Sequence, residues 1–178
     1  MNKPRTHSSR CTGFPPIAAA DARVLILGSM PSVASLAKRQ YYGHPQNAFW
    51  PIMGRLFGAG PDVPYELRVA ILCKAGVAVW DVLRQCERPG SLDTAIRIDS
   101  ERPNDFRKFL RQHPRIATIF FNGQKAETAF RRHVPADLKV LKREFDFVRL
   151  PSTSPAHAGR SFSEKLAAWK VVRRMIDE

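Results

Sequence analysis

The stretch from Gly28 to Asn47 holds the residue types most suited to contacting a ligand. Gly28-Ser29-Met30-Pro31 ends a short apolar run, and a long polar loop with Tyr41, Tyr42 and Asn47 follows it. Glycine permits a turn and a close approach of the backbone to a ligand, whereas proline fixes the chain. The amide of Asn47 cannot take a proton at neutral pH, so its chemistry is limited to positioning and polarising a bound group.

The apolar runs around this loop indicate which elements position it. Arg23–Leu27 and Val77–Asp81 are typical of buried strands in a parallel sheet. Ligands of open α/β sheets bind outside the carboxyl ends of the strands. We therefore expect the first loop, Asp81 and the later loop Pro151–Ser161 to lie at one edge of a sheet. The alternative is a loop that merely crosses the top of the sheet.

The alternation of strand-like and helix-like segments predicts an α/β domain with a mostly parallel sheet. We expect residues 1–20 to form a flexible basic N-terminal arm and residues 21–178 a single domain. A second long connection is expected after Asp81. The remaining predicted elements are strands at 116–121, 138–141 and 147–150 and helices at 47–57, 64–75, 105–112, 124–132 and 163–176, the last capped by Ser163.

Two segments resemble motifs of a known enzyme family. Gly28–Pro31 followed by Tyr41–Trp50 is similar to the first motif of the uracil-DNA glycosylase superfamily, most of all to its hypoxanthine-DNA (deoxyinosine) glycosylase branch. Leu150–Ala156 resembles the second motif of that superfamily. The resemblance implies a three-layer α/β/α sandwich with a mostly parallel four-stranded central sheet. It also implies that a flipped-out base enters the edge of this sheet.

The resemblance implies roles for residues of the first loop. Asn47 matches the residue that handles water in the hypoxanthine branch, while Met30 stands where the mismatch-specific relatives carry an asparagine. Tyr42 matches an aromatic residue that stacks on the flipped base. The backbone N–H groups of Ser29 and Met30 are expected to face a carbonyl oxygen of the base. The alternatives are that Asn47 is only a helix N-cap and that Tyr42 is core packing, with Tyr41 exposed instead.

Asp81 completes the expected base pocket. Some relatives place an asparagine there that contacts the base edge, and a carboxylate can accept from N1–H of hypoxanthine or N3–H of uracil. The alternative is that Asp81 caps the next turn. The predicted substrate-binding residues are Gly28, Ser29, Met30, Pro31, Tyr42, Phe49 and Asp81, and the predicted catalytic residue is Asn47.

The second motif is expected to contact DNA. Short hydroxyls and backbone amides can bind the phosphates that flank a lesion, and Ala156 stands where many relatives have a leucine wedge. The alternative is a turn rich in serine and proline before a helix. The predicted DNA-binding residues are Ser152, Thr153, Ser154, Pro155, Ala156 and His157, with phosphate contacts also expected from Lys142, Arg143, Arg149, Arg160 and Lys165.

The composition favours an acidic partner and a protein without a cofactor. The formal net charge of the 178 residues is +13, which suits a polyanion, although a generally basic proteome is an alternative. Three widely spaced cysteines indicate reduced thiols and are too few for an iron–sulfur cluster. Because the sequence has no metal-ligand spacing, no long apolar run and no secretory signal, we expect no metal, no membrane span and a cytoplasmic monomer.

These observations predict a monofunctional DNA glycosylase of base excision repair. It would hydrolyse the N-glycosidic bond of hypoxanthine, and also of uracil, in double- or single-stranded DNA. One alternative is a uracil-DNA glycosylase with little hypoxanthine activity. Another is a non-catalytic nucleic-acid-binding module on the same fold. An α/β hydrolase is disfavoured because the sequence contains no nucleophile elbow.

Overall fold

The computed structural model describes residues 10–90 and 92–177. Seven strands occur in this part of the chain: β1 (Arg10–Thr12), β2 (Val24–Gly28), β3 (Val77–Asp81), β4 (Leu83–Glu87), β5 (Arg102–Pro103), β6 (Thr118–Asn122) and β7 (Asp146–Leu150). The α-helices of the same part are α1 (Val33–Lys38), α2 (Phe49–Phe57), α3 (Tyr65–Lys74), α4 (Phe106–Gln112), α5 (Gln124–His133), α6 (Pro135–Leu141) and α7 (Phe162–Asp177). None of these helices is long and apolar enough to cross a membrane.

The main sheet contains four parallel strands in the order β3-β2-β6-β7. Every residue of β2 and β3 is buried. This is why both strands are continuous apolar runs rather than alternating patterns. Helices flank the sheet, so the predicted α/β sandwich is confirmed.

The order of the strands creates a natural binding crevice. From β2 the chain moves outward to β3, then returns across β2 to β6 and continues to β7. The connections that leave β2 and β6 therefore run in opposite directions. Ligands bind at such a switch point, outside the carboxyl ends of the strands.

Aromatic side chains join the helices to the sheet. Phe49 of α2 meets Trp169 of α7 edge-on at 6.0 Å between ring centroids, which joins the two helices on one face. In the other helical group, Phe130 of α5 contacts both Phe106 of α4 and Phe121 of β6. All five rings are buried, so they form much of the core that fixes α2 and α5 beside the switch point.

The expected N-terminal arm is packed onto the domain wherever it is described. β1 pairs with β4, and Ile17 forms an antiparallel bridge with Val79 of the main sheet. Residues 10–20 therefore differ from the flexible arm that we expected, and residues 1–9 lie outside the described part. β4 and β5 complete a small antiparallel sheet with β1, and β4 lies within the long connection that was expected after Asp81. Leu83 and Cys86 of β4 are buried, which anchors this sheet to the core.

Three other local predictions were wrong. Residues 138–141, expected as a strand, belong to α6, which has Pro135 in its first turn. Helix α1 lies within the long loop after β2. The cap of α7 is Ser161 rather than Ser163: its hydroxyl accepts from Glu164 N–H while the Glu164 carboxylate accepts from Ser161 N–H. This reciprocal pair is a capping box.

Candidate functional site

A pocket of about 310 Å³ opens at the carboxyl ends of β2, β3 and β6. Its volume is at the lower end of the range for small-molecule sites, roughly 300–1,000 Å³. The segments after β2, β6 and β7 all contribute to its walls. Most of the predicted site residues line it together, namely Gly28, Ser29, Met30, Pro31, Tyr42, Asn47, Asp81, Ser152, Thr153, Ser154, Ala156 and His157.

The amide of Asn47 has a fixed orientation. Its Oδ1 accepts a 2.9 Å hydrogen bond from the backbone N–H of Phe49, two residues ahead. The helix N-cap itself is Ala48, which makes no side-chain cap, so Asn47 supports the start of α2 from one position earlier. Asn47 lines the pocket, and its NH₂ group is the part of the amide that can donate to a ligand there.

Tyr42 is placed by an unusual backbone conformation. Its φ of 54° is in the left-handed region, which non-glycine residues adopt mainly where the surroundings impose it. The ring stacks on Phe49 with 3.9 Å between centroids and an interplanar angle of 21°. Tyr41 is the core residue of the pair, with its hydroxyl donating to the Pro15 carbonyl. Both tyrosines line the pocket, and Tyr42 is the less buried of the two, so the alternative in which Tyr41 is the exposed residue is wrong.

Phe49 does not reach the pocket that we predicted it would line. It is fully buried beneath Tyr42 and packs against Trp50 and Trp169. The first turn of α2 packs against α7, so this aromatic residue faces the core. Phe49 thus supports the ring of Tyr42 from behind rather than contacting a ligand.

Asp81 supplies a buried carboxyl group at the pocket. It is 4% exposed, and its Oδ2 has no hydrogen-bond partner among the described residues. Burial, and to a smaller extent the nearby Asp93 carboxylate, raise the pKa of Asp81 to about 8, while the charge of Arg88 opposes the shift. Asp81 is followed by a strand and caps no helix, so that alternative is wrong. At neutral pH the group is mostly a neutral carboxylic acid, which both donates and accepts.

The hydroxyl of Tyr42 lies beside this carboxyl. A side chain at Gly28 would contact both groups, since an added Cβ would overlap Asp81 Oδ1 and lie 3.1 Å from Tyr42 Oη. Tyr42 Oη also has no hydrogen-bond partner among the described residues. Burial and the Asp81 charge raise the pKa of Tyr42, so the phenol keeps its proton. Two buried polar groups without partners meet at Gly28, and such groups are costly unless a ligand satisfies them.

A second carboxylate enters the pocket from a segment that sequence reasoning missed. Ser29 Oγ donates to Asp93 Oδ2 at 2.7 Å. The side chain of Arg88 is completely buried, with Nη1 3.9 Å from Asp93 Oδ1 and Nη2 donating to the Pro31 carbonyl. These contacts fix Arg88 and Asp93 against the loop after β2. The sequence holds no local signal for them, because Ser29 and Asp93 are 64 positions apart.

Asn122, the last residue of β6, joins that strand to the loop after β7. Its Nδ2 donates to Thr153 Oγ1 at 2.8 Å and its Oδ1 accepts from Thr153 N–H at 2.9 Å. The Thr153 carbonyl in turn accepts from Ala48 N–H at 3.0 Å. Thr153 is buried and its hydroxyl already accepts from Asn122. Its geometry therefore fits a structural link between the two motifs better than the phosphate contact that we predicted.

The rest of the loop after β7 is more open. Ser152 Oγ accepts from Ser154 N–H and Ser154 Oγ accepts from Ala156 N–H, both at 3.2 Å, so each hydroxyl keeps its own proton for another acceptor. Ala156 and His157 are exposed at the pocket rim, whereas Pro155 is exposed but does not line the pocket.

Comparisons with known proteins show the family of this chain. Residues 15–173 match the family model described as Uracil DNA glycosylase superfamily. The chain belongs to this superfamily. It is 34% identical over 164 residues to a protein of Methanosarcina acetivorans named Hypoxanthine DNA glycosylase, covering 91% of this chain and 97% of that protein. A protein of the same name from Methanosarcina barkeri is 36% identical over 115 residues, or 64% of this chain and 72% of the relative.

The fold comparison gives the same result for this superfamily member. A solution NMR structure from Methanosarcina acetivorans, described as a candidate uracil DNA glycosylase, has a TM-score of 0.78 and 32% identity. The match covers 95% of this chain and 99% of that one. The protein is thus a DNA glycosylase and its substrate is DNA, as the motifs predicted.

Most of the basic residues expected to help this glycosylase hold DNA are engaged elsewhere. Arg143 donates to the carbonyls of Leu110, Pro114 and Ile116, before β6 begins, and so lies at the opposite edge of the sheet from the pocket. Arg149 pairs with Glu127, and Lys165 is buried with its ammonium donating to the His157 carbonyl. Lys142, Arg149 and Arg160 are exposed, and of these Arg160 lies within the loop after β7.

Proposed function

We propose that this glycosylase releases hypoxanthine, and more weakly uracil, from DNA. The observation that carries the proposal is the buried Asp81 carboxyl, which lies without a partner in a base-sized pocket that also contains Asn47 and Tyr42. The names of the two Methanosarcina relatives support hypoxanthine as the first substrate. One chain supplies all of these groups, so we propose that a monomer is active.

A neutral Asp81 matches the edge that deamination creates on a base. Hypoxanthine presents N1–H beside the carbonyl oxygen O6, and uracil presents N3–H beside O4. A carboxylic acid can accept from the N–H through its carbonyl oxygen and donate its O–H to the base carbonyl. Negative charge develops on that carbonyl as the base leaves, so the acid's O–H stabilises the departing base. An ionised Asp81 would repel the same charge.

Discrimination against adenine needs another group, because a neutral acid also fits adenine's N1 and amino group. We assign this role to the backbone N–H groups of Ser29 and Met30 at the pocket wall. A donor placed to contact O6 forms a hydrogen bond with the carbonyl of hypoxanthine. Adenine carries an amino group at the same position, and two donors that face each other repel. A site built to hydrogen-bond one such group rejects its mismatch strongly.

Asn47 and Tyr42 complete the proposed reaction. The NH₂ group of Asn47 holds a water near C1′ of the deoxyribose, and Tyr42 stacks on the flipped base. The water oxygen bonds to C1′ while the C1′–N bond breaks, and the bond's electron pair leaves with the base. The water's proton is released to solvent, so the amide does not act as a base.

The test uses single-turnover incubation with oligonucleotides that carry inosine, uracil or no lesion, followed by alkaline cleavage of abasic sites. We expect cleavage at inosine faster than at uracil, unchanged by EDTA. Leu67→Ala, exposed and outside the pocket, is the control for expression and folding. Cleavage at uracil alone would favour a uracil glycosylase. Tight lesion binding without any base release would favour a non-catalytic binding module.

A further inference from the structure

Leu92 is a large apolar side chain that is exposed at the rim of the pocket. It is 58% exposed, and it is one of the residues that line the pocket. Isolated exposed apolar residues are ordinary on protein surfaces. The position of this one is not ordinary: the other large hydrophobic side chains exposed in the described ranges 10–90 and 92–177 lie outside the pocket, namely Val33, Leu67, Ile98, Val140, Phe147 and Phe162.

Contacts of Arg88, Gly90 and Asp93 hold the described backbone near Leu92 in place. Asp93 accepts from Ser29 Oγ at 2.7 Å, and the buried Arg88 donates to the carbonyls of Gly90 and Pro31. The Leu92 carbonyl accepts from Ala95 N–H at 3.0 Å and begins a short 3₁₀ turn. Leu92 is thus presented from an anchored segment, which lowers the entropy lost when its side chain enters a partner.

The loop after β7 offers no comparable side chain. The exposed residues of this loop that line the pocket are Ala156 and His157, and Ala156 has only a methyl group. When a base leaves the duplex, its neighbours lose a stacking partner and the gap must be filled by protein or water. Apolar side chains that insert between base steps are the usual means of stabilising such a distorted duplex.

We propose that Leu92 is the wedge of this enzyme, entering the base stack at the position that the flipped nucleotide vacates. The proposal rests on the proposed function, since a gap forms only when the enzyme flips a base. It moves the wedge from the second motif to the segment between β4 and β5. Asp93 then has a positioning role, because it ties that segment to Ser29.

A wedge residue and a residue that contacts the flipped base differ in how their loss affects excision from double- and single-stranded DNA. Single-stranded DNA has no partner strand and little stack to hold open, so a wedge matters mainly in a duplex. A residue that packs on the flipped base itself affects excision from both substrates equally. The ratio of the duplex rate to the single-strand rate therefore separates the two roles.

The experiment compares Leu92→Ala and Leu92→Met with wild type, and with Ile98→Ala as matched control, because Ile98 is also 58% exposed but lies outside the pocket. Single-turnover excision is measured on paired and single-stranded inosine oligonucleotides. A second readout is the fluorescence of 2-aminopurine placed opposite an abasic analogue in a duplex, which does not depend on which base the enzyme releases.

We expect Leu92→Ala to lower the duplex-to-single-strand ratio about 10- to 100-fold, as expected for losing the burial of a leucine side chain. Leu92→Met should restore most of the ratio, and Ile98→Ala should leave it unchanged. Wild type should change the 2-aminopurine signal and Leu92→Ala should not. The proposal would be overturned if Leu92→Ala left both the duplex-to-single-strand ratio and the 2-aminopurine signal unchanged. It would also be overturned if His157→Ala, rather than Leu92→Ala, lowered them. If the enzyme releases no base but the 2-aminopurine signal still depends on Leu92, the substrate assignment is contradicted and the wedge is not.

Discussion

At the residue scale, the two hydrogen-bonding sides of Asn47 have separate tasks. Its oxygen supports the start of α2 and its NH₂ group is left for the pocket. Asn47→Ala should slow base release about 100- to 1,000-fold, as removal of one positioned donor typically does. Asn47→Asp keeps the acceptor for Phe49 but removes the donor, so it should be similarly slow. Single-turnover excision measures both.

The control for Asn47 is its exposed neighbour Gln46, which does not line the pocket. Gln46→Ala should release the base at a nearly normal rate. Affinity for inosine DNA, measured by anisotropy, should change little in either Asn47 variant. Near-normal excision by a folded Asn47→Ala protein would move the main role to Asp81 or the Ser152 loop.

The neutral form of Asp81 gives the reaction a pH limit. Because its pKa is about 8, the wild-type rate should fall as the pH rises above about 8 and the carboxyl ionises. Asp81→Asn keeps a donor and an acceptor but cannot ionise, so its rate should stay level over the same range. Ionisation of the base itself affects both proteins equally, and the difference between their pH profiles isolates Asp81. A wild-type rate that increases through pH 8 would contradict the neutral-acid role.

The same ionisation affects stability. The folded-state pKa of Asp81 lies above its ordinary value of 3.8, so the folded protein binds this proton more tightly than the unfolded chain does. The resulting stabilisation is fully present below about pH 3.8 and is lost as the pH rises through about 8. Thermal unfolding should therefore give Asp81→Asn a larger gain in Tm over wild type at pH 9 than at pH 5. An equal gain in Tm at pH 5 and pH 9 would show that the pKa of Asp81 in the folded protein does not lie between these two values.

At the element scale, β6, α2 and the loop after β7 meet at Thr153. Thr153→Val keeps the shape of the side chain but leaves Asn122 Nδ2 without its acceptor. A buried donor that loses its partner typically lowers the free energy of unfolding by about 1–3 kcal/mol. We expect lower stability in urea and slower excision, because the loop that lines the pocket is loosened. Ser154→Ala changes a less buried hydroxyl of the same loop and is the control for the unfolding measurement. Unchanged unfolding of Thr153→Val would show that the link carries little energy.

The elements differ in how far the sequence predicts them. β2 and β3 are recognisable because burial on both faces requires continuous apolar runs. Residues 138–141 are too short a segment to distinguish a strand from the end of a helix by periodicity. The motif residues were predicted to meet, and most do. Asp93 and Asn122 were missed because their partners are distant in sequence, at Ser29 and Thr153, and only the fold joins them.

At the scale of the whole molecule, the net charge of +13 predicts salt-sensitive binding to DNA. Each neutralised phosphate contributes a slope of about −0.9 to log K against log salt concentration for a duplex. We expect a slope of several units for undamaged duplex, and Arg160→Ala, in the loop after β7, should reduce it by about one. Arg174 is exposed near the far end of α7, so Arg174→Ala should leave the slope unchanged. A flat dependence would contradict phosphate-driven binding.

The close approach of Gly28 to Asp81 has a consequence for how this enzyme can evolve. Any side chain at position 28 would overlap Asp81 Oδ1, although the backbone there tolerates other residues. Gly28→Ala alone should therefore abolish excision, whereas a smaller residue at position 81 would make room for it. The two positions are epistatic, and the order of changes matters: a lineage acquiring a new base preference through this pocket must alter Asp81 before Gly28.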